Sequence, residues 1–232
     1  MDFLTLDIWG VAVAFVLGFL LLLFGLNLGY FFVASMIAFL VLSAIVTYTG
    51  MGYKKRMKLG QEPRGIMNVL ANGLPPLLMV ILFYVSTIKG YGLLSSIAVV
   101  GFVASVAGIT ADKFSSELGV LNGMPRMILT MKKVKKGTSG GISSLGAGGG
   151  LVAAFIVSLF VIVPLYSHVF AATRGFNIFE VIMVITAAGF LGSIVDSILG
   201  YFEEKGIGNK FTSNFFCGMF AGFVAMLLFV VL

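Results

Sequence analysis

Charge is what this chain of 232 residues has least of: Asp, Glu, Lys and Arg together make up 10%, against about a quarter of an ordinary soluble domain. With 59% hydrophobic residues, so little polar surface could not cover a soluble fold, and the composition implies a polytopic membrane protein. The single cysteine, Cys217, excludes an intrachain disulfide and leaves no cysteine-based metal cluster. The single histidine, His168, has no second histidine to share a metal with. No GxxxxGK run followed by Ser or Thr is present, which excludes a P-loop. No internal repeat stands out of the kind that transporters are built from. The first apolar run lacks a basic leader and follows Asp2 and Asp7, so it reads as a retained helix and not a cleaved signal. The length leaves no room for a separate soluble domain, which makes residues 1–232 one transmembrane domain.

What the chain does contain is apolar runs. Crossing the hydrocarbon takes roughly 20 apolar residues, and about seven runs qualify: Ile8–Leu26, Gly29–Tyr48, Ile66–Ile88, Gly92–Ala111, Leu151–Ala171, Ile178–Gly200 and Phe211–Leu232. Lipid offers no partner to unpaired amides, so each must be helical and the fold class is an all-α membrane bundle. Gly25, Leu26 and Asn27 leave room only for a tight hairpin between the first two. Thirteen of the fifteen basic residues fall in three connecting segments on one side, with only Lys89 and Arg174 on the other. The positive-inside rule then predicts a cytoplasmic N-terminus and an external C-terminus. It also accounts for the +6 charge and the KKRMK run at 54–58 as topology and headgroup signals, with no nucleic acid as partner. Trp9, Tyr30, Tyr48 and Tyr53 read as interfacial aromatics, and Glu203, Glu204 and Lys205 as a solvated helix end.

Three polar features interrupt this pattern. Asp196 lies about a turn from the cytoplasmic end of the sixth span, on a stripe with Gly189, Gly192, Ser193 and Gly200. Small residues at such spacing admit a close neighbouring helix. An intramembrane carboxylate there is a functional candidate, the plainer reading being a structural group bonded to Ser or Asn neighbours. The third span carries Asn68 and Asn72 one turn apart, then Pro75 and Pro76; these line a polar cavity or mark an ordinary proline kink. The longest break, Asp112–Gly150, is expected to be a cytoplasmic functional loop, with Asp112 ending a helix and Glu117 beyond it. Asp112, Glu117 and Asp196 could converge on a hard cation such as Mg2+, which takes oxygen ligands, waters and substrate phosphates. Lys132 and its neighbours could neutralise phosphate oxygens, and the amides of the glycine-dense Gly137–Gly150 could bind them ahead of the fifth span. Acid, base and glycine loop together point to metal-assisted phosphate chemistry.

The segments ADKFSSELG (111–119), PRMILTMK (125–132), GTSGGIS (137–143) and GSIVDSILG (192–200) stand in this order. Together they resemble an integral-membrane family whose best-understood branch is the phytyl-phosphate kinase of plant plastids. The resemblance runs from about Asn68 to the C-terminus. Asp112, Ser116, Glu117, Leu118 and Gly119 fit its acidic block, where Lys113 and Ser115 depart from the usual residues. Pro125, Arg126, Thr130 and Lys132 fit the next block. Gly137, Thr138, Gly140 and Gly141 fit the glycine block, with Ser139 where Asn is common. Gly192, Ser193, Asp196, Ser197 and Gly200 fit the last, and Asn68, Asn72 and Asn214 match isolated polar positions. The resemblance implies a kinase that moves a phosphoryl group from a nucleoside triphosphate to a prenyl monophosphate (phytyl, geranylgeranyl or farnesyl phosphate), giving the diphosphate. Related membrane lipid kinases and cytidylyltransferases use CTP, which implies CTP as co-substrate.

On this reading Asp112, Glu117, Lys132 and Asp196 are catalytic, and Asp112, Glu117 and Asp196 hold Mg2+. Asn68, Asn72, Arg126, Gly137, Thr138, Ser139, Gly140, Gly141, Ser193 and Asn214 bind nucleotide or phosphate. The expected setting is the cell membrane of an archaeon or bacterium, with the site facing the cytoplasm and homo-oligomerisation left open. A cytidylyltransferase, a prenol kinase, and a transporter of an anionic lipid are the competing readings.

Overall fold

One helix is enclosed by the others. In the computed structural model, which describes residues 5–59, 64–165, 169–170 and 177–231, α5 (Gly92–Gly119) has 83% of its most apolar window buried, while the other five long helices have 39–44%. Around it stand α1 (Ile8–Phe24), α2 (Gly29–Tyr48), α4 (Ile66–Ile88), α6 (Ser144–Ser158), α8 (Ile178–Glu203) and α9 (Lys210–Val231). Two short helices, α3 (Met51–Arg56) and α7 (Ile162–Leu165), fill connections. The strands β1 (Arg126–Met127) and β2 (Gly141–Ile142) pair antiparallel, with Arg126 opposite Ile142. The all-α membrane bundle expected from composition is present. Six helices are long and apolar enough to span, and α1, at 17 residues, stands at the lower limit of the spanning range. Asp2, His168 and Arg174 lie outside the described residues.

Glycines set how closely the helices approach. A Cβ on Gly189 would lie 2.7 Å from that of Ala107 on α5, and one on Gly192 would lie 2.7 Å from the Cys217 carbonyl oxygen on α9. Gly108 faces Ala221, and Gly218 faces Pro75 and Ser105. The stripe that carries Asp196 therefore clamps α8 between α5 and α9, as small residues do where lipid supplies no hydrophobic drive between helices. Pro75 and Pro76 lie inside α4 without ending it. At the first turn of the bundle, a Cβ on Gly25 would come within 2.5 Å of the Gly29 Cα, which is how Leu26–Leu28 closes the hairpin in one 3-10 turn.

Two expectations about the long break require correction. Asp112 does not end its helix: α5 continues to Gly119, so Asp112 and Glu117 are both helical. The charged stretch tolerates this because Lys113 and Glu117 pair along the helix at 2.6 Å. The glycine tail is not an open cradle either. Helix α6 starts at Ser144, capped by the Ser143 hydroxyl, which accepts the Gly146 N–H at 3.2 Å. Side chains at Gly146, Gly149 and Gly150 would strike Ser115 and Leu118 of α5, so these glycines serve helix packing. Only residues 120–143 are non-helical between the two.

Gly192→Ile is expected to destabilise the bundle by about 1–3 kcal/mol through overpacking. Thermal unfolding in detergent checks this, and an unchanged midpoint would mean that α8 and α9 do not depend on that contact.

Candidate functional site

Three pairs of polar residues at a spacing of four bring three helices to one hollow. Residues four apart share a helix face, and α4 presents Asn68 and Asn72, α5 Asp112 and Ser116, and α9 Lys210 and Asn214. Arg64, just before α4, extends the first series by one more step of four, and Lys113 joins from α5. Phe39 and Ile109 form the apolar wall of this cavity of about 200 Å³. The charged residues of this lining lie towards the end of the bundle at which the N-terminal segment pairs Leu6 with Arg64.

Asp196 stands behind this lining, 4% exposed. Lys210 Nζ reaches both of its oxygens, at 2.9 and 3.2 Å. Asp112 lines the same cavity as Lys210, so a second acid stands near the ammonium that holds Asp196. Asn214 is 5% exposed, and its Oδ1 has no hydrogen-bond partner. A buried amide oxygen in that condition is costly unless something donates to it or coordinates it.

Glu117 belongs to a different network. Lys54 donates to its Oε2 at 2.7 Å, Lys113 pairs with Oε1 at 2.6 Å, and the Thr47 hydroxyl donates to Oε1 at 3.0 Å. Lys54, 2% exposed, spends its other protons on the Val46 and Thr47 carbonyls at 3.1 Å each, capping the end of α2. Arg64 donates to the Thr47 hydroxyl at 3.1 Å, which joins this network to the cavity. Burial pulls the Arg64 guanidinium below its usual pKa, and the nearby Glu117 and Asp112 carboxylates oppose that shift.

The expected metal triad of Asp112, Glu117 and Asp196 is not assembled. Among the described residues, no three His, Cys, Asp or Glu side chains gather to hold a metal ion. Asp112 and Glu117, five residues apart on a continuous helix, project roughly 140° apart, and Glu117 is already committed to two lysines. The remaining oxygens still suit magnesium, which binds through one or two carboxylates and keeps waters and phosphates: Asp112 and the unpartnered Asn214 Oδ1 of the cavity, with Asp196 behind them, would hold it.

Asp112, Asn68, Asn72 and Asn214 are thus brought together, with Asp196 directly behind them. Lys132 and Arg126 are not: both are exposed on the segment between α5 and α6, where Arg126 donates to the Met131 carbonyl at 3.1 Å. Ser193 turns its hydroxyl to the Phe190 carbonyl of its own helix at 2.9 Å. In the 137–141 loop, Gly140 (φ +75°) lies flat against Gly200 of α8, where a Cβ would come within 2.6 Å of the Tyr201 nitrogen. Ser139 donates its amide to Glu204 at 2.9 Å and its hydroxyl to Glu203 at 3.1 Å, so this acidic pair holds the loop and is not a merely solvated helix end. Gly141 donates to the Thr138 carbonyl at 3.1 Å, and Gly137 is exposed. None of these loop residues lines the cavity.

In the sequence Arg64, Lys210 and Lys54 read only as topology charges, and Lys113 as one of these and a departure within the acidic block. The four-residue step from Arg64 to Asn68 to Asn72, and from Lys210 to Asn214, is the signal that marks two of them.

A family model described as Integral membrane protein DUF92 matches residues 2–216. An uncharacterised membrane protein of Methanocaldococcus jannaschii is 35% identical over 98% of this chain and 87% of its own length. Protein PGR of Arabidopsis thaliana is 33% identical over 79% of this chain and 68% of its own length. No solved structure matches.

Lys54→Met should lower the unfolding free energy by about 3–5 kcal/mol, the usual cost of leaving a buried charge alone. Replacing Glu117 by Leu in the same chain should recover part of that loss. Denaturation in detergent measures both, and a single variant as stable as wild type would remove the pair from the support of the fold.

Proposed function

Because the chain belongs to the DUF92 family of integral membrane proteins, we propose that its polar cavity is the site of a prenyl-phosphate kinase. The reaction moves a phosphoryl group from a nucleoside triphosphate to a prenyl monophosphate, giving the diphosphate. The observation that carries this reading is the lining: Arg64, Lys113 and Lys210 meet Asp112 and three asparagines inside an apolar bundle. Phosphoryl transfer asks mainly for positioning and for neutralised oxygens, and this set supplies both.

Arg64 and Lys113 hold the acceptor phosphate, and the Asn68 and Asn72 amides orient it. Asn72 already donates to the Asn68 carbonyl at 2.8 Å, which fixes its rotamer. Glu117 keeps Lys113 in place at 2.6 Å. Phe39 and Ile109 receive the first carbons of the isoprenoid tail. An acceptor phosphate oxygen forms the new bond to the γ-phosphorus as the bond to the β–γ bridging oxygen breaks, and nucleoside diphosphate leaves. The acceptor is already ionised, so no side chain must take a hydroxyl proton. Magnesium held by Asp112 and Asp196 would supply neutralisation of the triphosphate.

A hollow of about 200 Å³ is smaller than the roughly 300–1,000 Å³ of pockets that enclose a whole organic ligand. Phosphates therefore enter it while the nucleoside stays at the rim. The choice of CTP rests on the resemblance to membrane lipid kinases. The cytoplasmic placement rests on the basic residues of the cavity-side connections, with Lys89 at the other end. A cavity confined to one end of the bundle favours catalysis over alternating access.

Purified protein incubated with farnesyl or geranylgeranyl phosphate and each labelled triphosphate should yield the prenyl diphosphate, identified by mass. A nucleotide-linked lipid, or no product with any donor, overturns the reading. Asp112→Asn should lower turnover by roughly 100-fold or more at unchanged stability, whereas Lys132→Gln should leave it within about threefold, because an exposed ion contributes little. Equal losses in the two variants would return the site to the 120–143 segment.

A further inference from the structure

We propose that Lys210 occupies the place of the metal cation: its ammonium holds Asp196 beside Asp112 in the ion-free protein and is released to the substrate phosphates when a divalent ion binds. This rests on the kinase reading of the same cavity and deepens it.

Four observations converge. Lys210 Nζ contacts both oxygens of Asp196, at 2.9 and 3.2 Å, so one carboxylate is engaged on both sides by a single cation. Asp112 lines the cavity together with Lys210 and Asn214, which places a second acid beside the same ammonium. Asn214, 5% exposed and one turn along α9 from Lys210, keeps a buried Oδ1 without a partner. An ammonium on Asp196 leaves that oxygen idle, whereas an oxygen-seeking divalent ion would use it. Finally, the Lys210 side chain is 51% exposed against 6% for that of Asp196, and it belongs to the first residue of its helix. The acid is fixed and the base has solvent into which to move.

Lys54 shows by contrast what a permanent pairing looks like here. It is 2% exposed, with three acceptors for its three protons. Lys210 has only the two oxygens of one carboxylate and an open approach. The ammonium offsets one of the pair's two negative charges, and a divalent ion in its place would offset both. The exchange also delivers a cation to the cavity at the moment the triphosphate enters with its metal. A buried Asp196 would be an unpaired charge without either occupant, so the ammonium keeps the ion-free site folded.

The test uses the full-length chain in detergent and Mn2+ as the probe, since it takes the same hard oxygen ligands and its free concentration is read by paramagnetic resonance. Without nucleotide, Lys210→Met should bind Mn2+ about tenfold more tightly than wild type, the scale of one lost competitor. The same variant should bind inorganic triphosphate more weakly. Lys210→Arg should restore both towards wild type. Lys113→Met, which removes an equal charge from the same cavity but not from Asp196, should change Mn2+ affinity by less than half as much on a logarithmic scale. Mn2+ should also raise the melting temperature of Lys210→Met by more than that of wild type, so a weakened fold remains informative. If both methionine variants gain equally, the effect is general electrostatics and the exchange is wrong. If Lys210→Met binds Mn2+ no better than wild type while Asp196→Asn abolishes binding, the metal site stands and the exchange falls. If none of the proteins binds Mn2+, both fall.

Discussion

The bundle depends on bringing carboxylates into an apolar interior together with the cations that neutralise them. Glu117 would be prohibitively costly inside a membrane helix if it stood alone. It enters with Lys54 at 2.7 Å and Lys113 at 2.6 Å, and Thr47 adds a hydrogen bond. Asp196 enters with Lys210 at 2.9 Å. These pairings join segments far apart in the chain: Lys54 follows α2, Glu117 ends α5, and Lys210 opens α9. Charge neutralisation therefore acts here as a tertiary cross-link, and the polar end of the protein is organised around it.

Close helix packing is the other half of the arrangement. Gly189 and Gly192 let α8 lie against α5 and α9 with almost no intervening side chain. At that separation a short Asp side chain on α8 reaches Lys210 on α9, which also lines the cavity with Asp112 of α5. Larger residues on the stripe would move the helices apart by more than an aspartate can span. The two networks are then linked through Arg64, which lines the cavity and also bonds Thr47 beside Glu117. A substrate phosphate drawn to Arg64 would meet a guanidinium already held from behind. That pre-organisation is what a site relying on electrostatics requires.

Exposed segments carry a different kind of charge. Lys132, Lys133 and Lys135 are solvent-facing, and Lys136 packs over the Tyr53 ring, donating to its hydroxyl at 2.7 Å. The 137–141 loop closes on the end of α8 through Gly140 and the Ser139 bonds to Glu203 and Glu204. These contacts anchor the 120–143 segment beside the cavity without adding to its lining. Residue type alone made Lys132 resemble a cation for phosphate oxygens and the glycines resemble a phosphate cradle. What separates a lysine in that segment from Lys210 is position, since only the latter is carried by a helix that faces an acid.

Composition and periodicity by themselves determined the membrane class, the helical hairpin, the apolar helices and the stripe bearing Asp196, because each follows from local spacing and from the lack of hydrogen-bond partners in lipid. Asn68 and Asn72 were also legible as polar interruptions of an apolar run and Asp112 as the acid at the start of the long break, while Asn214 stood out only through the family resemblance. Only the tertiary structure decided which charges meet. It placed Glu117 with Lys54 across 63 residues of chain, set Lys210 between Asp196 and the cavity that Asp112 lines, and turned topology lysines into site residues. The physical reason is that a charge reads the same in sequence whether water or another ion will neutralise it. The choice between them is made by the packing of helices distant in the chain.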